Sequence, residues 1–477
     1  MPKFVNPEQK SNGIGSSGGT LLAIIPIFVI FYVLLILPFL SDEDRTGRVE
    51  NILFWPIAAL LTLTLVFWHR AGIDRKFFLS LPIISLIVYI IFAAASVTWA
   101  YSPDYAFNRL GVQALVVMVI VLPYAVPTGR KYTIPGVHLC YAIALAISAV
   151  FVLTTKASPI GHPGYFYHKQ ELGFLASAGL ILSSHEFLQS GWRRLVAAIA
   201  MGLGIWLLFE SGSKSALAFA LVASVCSWLI LQLCKRTRLT PAHFVAAVVL
   251  ASLFVSTPIE RIGYRLYGDA TLTGRTEIWS FINYRISQNA WFGWGFRSYY
   301  GVPNSPHNAA PGFVRDMPSS HSGYLELKLE TGRIGYWIFL VFIYSSLHLL
   351  ERVRRIDPVR AWCYLSIALF ATIINLTDSV WFVLDSLWVL YLFVVAEAVR
   401  FCMIEQRAGS NGPGRWLRGR PATVDPQRFS GPMASWLVRL VDGRDPVSSK
   451  RSTSPLAITF KLAAVYAFSD GNAACHF

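Results

Sequence analysis

An arginine in GRTEIW (274–279) and a histidine in HSGYLELKLETGRIG (321–335) stand near the two ends of the longest polar interruption in a strongly apolar chain, the segment from Pro258 to Gly332. Other cations and imidazoles fall in short connections: Arg109 in WAYSPDYAFNR, His168 and Lys169 in GYFYHKQELG, and Lys214 in ESGSKSA. Cationic groups and imidazoles gathered beside a bilayer suit an anionic lipid-linked substrate, because each phosphate needs fixed positive charge. At an effective dielectric of about 20, a unit charge pair about 4 Å apart is worth roughly 4 kcal/mol, so two cations on a diphosphate would supply much of what its departure requires. Such a leaving group needs charge stabilisation, not a proton. An attacking sugar hydroxyl is the reverse case: it must lose a proton, which a neutral imidazole with a reference pKa of about 6.5 can accept.

Each residue also has an ordinary reading. A loop arginine is more often a headgroup contact than a catalytic group, and Lys169 and Lys214 taken singly read as lysines snorkelling to the interface. His321 fits a helix terminus equally well. Glu277 and Glu326 have the chemistry of bases, but each stands on a predicted helix beside basic residues, which suits simple pairing. Trp279, like Trp291, Trp294, Tyr299 and Tyr300, suits both a membrane interface and the face of a sugar ring. His307 and Asn308 add nothing decisive. The argument therefore rests on whether the chain brings the cations and histidines to one side of a membrane.

Of 477 residues, 55% are hydrophobic and 14% charged, and the mean hydropathy is +0.51. That excludes an ordinary soluble protein of this size. Apolar runs of crossing length occur at 20–40, 51–68, 77–98, 110–127, 135–154, 172–188, 195–209, 215–234, 242–258, 334–350, 361–377 and 380–399. The expected fold is all-α and polytopic, with about twelve transmembrane helices. The first run is longer than a signal-peptide core and ends in LPFLSDED, so it reads as retained. Placing the N-terminus inside puts Arg70, Arg75, Lys76, Arg130, Lys131, Arg193, Arg194, Lys235, Arg236, Arg238, Arg352, Arg354, Arg355 and Arg360 in inside connections. The short outside connections hold only Arg45, Arg48, Arg109, Lys156, Lys169 and Lys214, as the positive-inside rule requires. The net charge of +15 is thus a topology signal and not a nucleic-acid footprint.

This division gives a cytoplasmic segment 1–19, a helical domain 20–401 with one large external loop 259–333, and a basic, mostly disordered cytoplasmic tail 402–477. None of the six cysteines falls in an external loop, so neither a disulfide framework nor a Cys/His metal site is expected. Twelve spans also fit a transporter or flippase, which would carry charges along a central path; Asp385 is the clearest charge deep in a predicted span. Within the loop, Thr273 reads as the N-cap of a helix with Ile278, Phe281, Ile282 and Ile286 at helical spacing. A second helix is expected over 321–331, ended by Gly332 and lying with Tyr324, Leu325, Leu327 and Leu329 on the membrane face.

The ordered series HKQELG (168–173), SGSKSA (211–216), GRTEIW, WFGWGF and HSGYLELKLETGRIG resembles the bacterial O-antigen ligase and polysaccharide polymerase superfamily. The resemblance covers roughly residues 99 to 335. It implies a metal-independent membrane glycosyltransferase of GT-C type that needs no cofactor. The implied donor is an undecaprenyl-diphosphate-linked saccharide at the periplasmic face of the inner membrane, with a saccharide acceptor and further polysaccharide-assembly proteins as partners. Carried over by position, His321 matches the essential histidine, and Arg275 and Lys214 match positions that hold the diphosphate. His168, Lys169, Arg109, Tyr324 and Trp279 join them as expected substrate contacts. Ser322 stands where the family usually has Asn, and Lys214 where ligases typically have Arg. The lysine is similar to the exopolysaccharide (succinoglycan-type) polymerase branch, which favours a polymerase over a ligase.

Overall fold

A computed structural model describes residues 15–40, 49–68, 72–126, 133–159, 161–254 and 275–410. Among the described residues twelve principal helices form a bundle, and a thirteenth belongs to the polar loop. They are α1 (Gly15–Phe31), continued by a π turn (Tyr32–Ile36) to Leu40, α2 (Val49–Trp68), α3 (Leu81–Ser96), α4 (Pro103–Ala125), α5 (Ile134–Thr154) and α6 (Lys169–Phe187). Then come α7 (Trp192–Glu210), α8 (Lys214–Arg236), α9 (Pro241–Phe254), the loop helix α10 (Arg275–Gln288), α11 (Gly323–Ile356), α12 (Pro358–Ile374) and α13 (Ser386–Ser410). Proline in the first turn starts α3, α4, α5 and α12, where its missing N–H costs nothing. The Asp357 carboxylate also caps α12 by accepting from the Arg360 N–H at 3.0 Å.

Among the described residues eight helices are long and apolar enough to cross a membrane: α1, α3, α4, α5, α7, α8, α11 and α13. Helices α2, α9 and α12 are shorter apolar helices, and α6 carries Lys169, Glu171 and Glu186. The protein is an all-α polytopic membrane protein. Burial separates inner from outer helices: 89% of the apolar window of α13 is buried, against 28% for α7 and α8. Trp388 and Tyr391 of α13 pack with Trp381, Phe339 and Phe342 at the centre of the bundle.

Connections alternate between two ends of the bundle, as short loops between antiparallel helices dictate. At one end the Phe296 N–H donates to Ser96 Oγ at 3.0 Å, the His162 N–H to the Glu210 carbonyl at 2.9 Å and the Gly323 N–H to the Asp378 carbonyl at 2.8 Å. At the other, the Asp74 N–H donates to the Ala125 carbonyl at 2.8 Å and Arg193 pairs with Glu186 at 2.6 Å.

Four expectations need correction. Asp385 is not inside a helix: residues 380–385 are non-helical, and its carboxylate accepts the Leu387 N–H at 2.7 Å where α13 begins. Gly332 does not end a helix but kinks α11 at φ 65°, and the chain stays helical on both sides. The turns before it do not lie on the membrane, because Leu327 is buried in the bundle core and Leu329 in a separate core of the polar loop. The final helix reaches Ser410, past the expected start of the tail at 402. Thr273 and residues 411–477 lie outside the described residues.

Candidate functional site

The polar loop owes its shape to an interlock with α11. Gly293 and Gly332 both have positive φ, 69° and 65°. A Cβ on Gly293 would lie 2.5 Å from the Glu330 carbonyl oxygen, and one on Gly332 2.2 Å from that of Trp291. Backbone therefore lies directly on backbone. The kink frees polar groups that the loop satisfies. The N–H groups of Trp294 and Gly295 donate to the carbonyls of Leu329 and Glu330, at 2.8 Å each, and the Arg333 N–H donates to the Ala290 carbonyl at 2.9 Å. The Gly-rich WFGWGF and the TG of LETGRIG are two halves of one joint.

His321 sits just before α11 with φ 50°, in the left-handed region that a non-glycine residue occupies only when its neighbours hold it there. Ser320 supplies that hold. Its N–H donates to Glu326 Oε1 at 3.0 Å, its carbonyl accepts Trp279 Nε1–H at 3.0 Å, and its hydroxyl donates to the Ser322 carbonyl at 2.9 Å. On the far side Gly323 lies against Asn375, whose Oδ1 would be 2.0 Å from an added Cβ. Asn375 Oδ1 in turn accepts the N–H groups of Val380 and Trp381 at 2.9 and 3.1 Å. The Ser322 hydroxyl reaches the Asn375 carbonyl at 3.5 Å.

Burial first, then the charges of Arg275 and His168, push the His321 imidazole below its ordinary pKa. The ring is therefore neutral near pH 7. Its Nδ1 is buried without a hydrogen bond among the described residues, and Nε2 is accessible and also free of one. Arg275 opens α10 and acts electrostatically on both His321 and Asp378. Asp378, in the connection between α12 and α13, has Oδ1 on the Ser379 N–H at 3.0 Å and a buried Oδ2 with no hydrogen bond among the described residues. Burial outweighs the Ser379 hydrogen bond and Arg275 and pushes its carboxyl up to about 6.

His168 caps α6, its Nδ1 accepting the Gln170 N–H at 3.3 Å, and burial followed by the Lys169 charge lowers its pKa. Lys169 is the first residue of α6 and Lys214 the first of α8. These two helix starts are neighbours: a Cβ on Gly173 would lie 2.8 Å from Ser213 Cβ and 2.9 Å from Ala216 Cβ. The Lys214 side chain is exposed and makes no ion pair among the described residues.

Arg275, His168 and His321 thus come together, with Lys169 beside His168. Lys214 shares their end of the bundle without touching His321. Three further expected substrate contacts have hydrogen-bond partners of their own. Arg109 is buried, and its guanidinium donates to the carbonyls of Arg297 at 2.8 Å, Tyr300 at 2.7 Å and Gly301 at 3.3 Å. It pins the loop. Trp279 spends its N–H on the His321 turn, and the Tyr324 hydroxyl donates to the Thr372 carbonyl at 2.9 Å. Sequence reasoning missed Asp378, Asn375 and Arg297, the last of which acts electrostatically on the buried Glu326 and Glu330. Arg297 stands next to the WFGWGF motif, the one signal that pointed to it. Among the described residues no group of three His, Cys, Asp or Glu side chains is placed to hold a metal ion.

Chemically, the arrangement pairs a neutral imidazole with fixed positive charge and a group of helix N-termini, a surface suited to an anionic leaving group and a hydroxyl that must lose its proton. Residues 197–340 match the O-antigen ligase family. The match runs from within α7 to the first turns of α11 beyond the kink and includes Lys214, Arg275, Trp279, His321 and Tyr324. No curated protein matches the chain at a significant level.

Proposed function

Starting from the O-antigen ligase segment at residues 197–340, which supports a role as polysaccharide polymerase or ligase, we propose that the protein polymerises saccharide repeat units carried on undecaprenyl diphosphate. The work takes place at the periplasmic face of the inner membrane, in exopolysaccharide or O-antigen synthesis. The observation that carries this reading is the convergence on His321: Arg275 and His168, from two different helix starts, both act on an imidazole kept neutral by burial. In the reaction the acceptor hydroxyl gives its proton to His321 Nε2 while its oxygen bonds to the anomeric carbon of the donor sugar. The bond from that carbon to the diphosphate oxygen breaks. The lipid diphosphate leaves with its negative charge held by Arg275 and Lys214, with Lys169 and His168 beside them. The proton then passes to solvent.

Delivery of a finished glycan to a lipid A core would use the same chemistry with a different acceptor; Lys214 in place of the arginine typical of ligases favours the polymerase. A transporter is disfavoured by where the buried charges lie. Glu186 pairs with Arg193, Glu351 with Arg354 and Arg355, and Glu397 with Thr133 and Arg360, all at the end opposite His321. Arg109, Glu326, Glu330 and Asp385 lie at the His321 end, and among the described residues no buried charge lies between the two groups. Deleting the gene and analysing the carrier-linked sugars tests the proposal. Single repeat units accumulating on the carrier support a polymerase, long chains stranded on it point to a ligase, and repeat units trapped on the cytoplasmic leaflet would overturn both.

A further inference from the structure

Two cations on α11 have no counterpart in the site above. Lys328 points its ammonium over the Tyr336 ring, 4.5 Å from the centroid, and Arg333 lies over the Trp291 ring at 5.3 Å. Their charges are close enough to repel one another. Neither forms an ion pair among the described residues, and the nearby acids do not turn to them: Glu326 holds Ser320, and both Glu326 and Glu330 answer to Arg297. A half-buried lysine beside an exposed arginine, with no carboxylate between them, is an unfavourable arrangement for the protein alone.

The surroundings say what would relieve it. Trp291, Phe292 and Trp337 are exposed at 60%, 53% and 64% of their surface, as aromatic side chains are at a bilayer interface. The pair straddles the Gly332 kink, where α11 passes from the polar loop into its apolar stretch. An anion meeting Lys328 and Arg333 together would thus sit at headgroup depth, with its apolar portion beside exposed aromatic rings. Lys328 is the sixth residue of α11, and His321 lies two residues before that helix begins, so the pair and the imidazole occupy separate positions on one stretch of chain.

We infer that Lys328 and Arg333 form a second diphosphate site, which holds the lipid carrier of the acceptor while the Arg275 site holds that of the donor. This rests on the polymerase reading, in which both substrates are carrier-linked; a ligase has no need of a second carrier. The acceptor's diphosphate is not a leaving group, so its site needs binding charge but no imidazole.

The test is native mass spectrometry of the full chain in phosphatidylcholine nanodiscs titrated with undecaprenyl diphosphate. The wild type should bind two copies. Combined K328Q and R333Q substitutions should weaken one copy at least tenfold and leave the other, whereas R275Q should do the opposite. Thermal unfolding of each variant serves as the folding control, with the single substitutions replacing the double should it unfold early. A single copy in the wild type, or two copies retained in the double variant, overturns the second site alone. No copy bound at all overturns the proposed function itself. Equal displacement by phosphatidylglycerol identifies an ordinary headgroup site and also overturns the inference.

Discussion

His321 combines an unusual backbone conformation, a neutral ring and an open Nε2, and its replacement should be the most damaging single change. His321→Ala and Arg275→Ala are expected to lower product formation at least about 100-fold, the scale of one general base or one charge-stabilising group, at unchanged membrane levels. Full activity in either variant, measured on carrier-linked repeat units, removes its assigned role. The pH dependence follows from the direction of the shift. Because burial and neighbouring charge disfavour the imidazolium, the base remains active below the ordinary histidine range, so the acid limb of kcat/KM should lie below about pH 6.5. His168→Asn removes one of the repelling groups and should move that limb upward, by roughly a few tenths of a unit. On the stability side, the unfolded chain binds this proton more readily, so His321 costs stability as pH falls through about 6.5. Asp378 has the opposite sign: its carboxyl is raised to about 6, so the protonated form suits the folded state and the charged form strains it above that pH. Because the unfolded carboxyl loses its proton at about 3.9, the cost builds between about pH 4 and pH 6, so Asp378→Asn should raise the unfolding temperature most at pH 7.5, less at pH 5 and least near pH 4; equal shifts at all three would refute the buried charge.

Among the elements, the polar loop and α11 hold each other in place. Gly293→Ala puts a methyl group against the Glu330 carbonyl at a positive φ, which should cost about 2–4 kcal/mol. Arg109→Ala would strand three loop carbonyls and should lower activity and speed proteolysis of the loop. An Arg109 variant with a normally protected loop would show that the pinning is dispensable. Most helices were legible in the sequence, since apolar length, proline starts and short connections are local signals. The role of Arg109 was not, because it joins residues 188 or more positions apart, and no spacing rule reaches that far. The kink at Gly332 was misread as a helix end for a related reason: its freed hydrogen bonds are completed by loop residues some 40 positions earlier. Arg275, His168 and His321 were legible as candidates through residue type and side of the membrane. Asp378 escaped because a lone aspartate between two apolar runs carries no motif, and only the fold brings it beside Arg275.

For the molecule as a whole, the telling pattern is the direction in which its helices start. Helices α6, α8 and α10 all begin at the His321 end of the bundle, and their first residues are Lys169, Lys214 and Arg275. The N-terminal end of a helix carries partial positive charge, so a cation there is disfavoured by about 0.3–1 kcal/mol. The first turns of α6 and α10 contain Glu171 and Glu277, but that of α8 contains no acidic residue. Positive charge and helix dipoles accumulated at one end make sense if an anion completes the arrangement. Lys214→Asp therefore separates stability from function. It should improve the fit to the α8 dipole and raise the unfolding temperature of the ligand-free protein slightly, while lowering undecaprenyl diphosphate affinity and polymer yield by roughly tenfold or more, as expected for reversing one charge beside a diphosphate. In wild type, added undecaprenyl diphosphate should raise the unfolding temperature, and in Lys214→Asp that increment should shrink. Retained affinity in this variant would mean that α8 takes no part in holding the leaving group, and the donor site would then reduce to Arg275 and the His168–Lys169 pair.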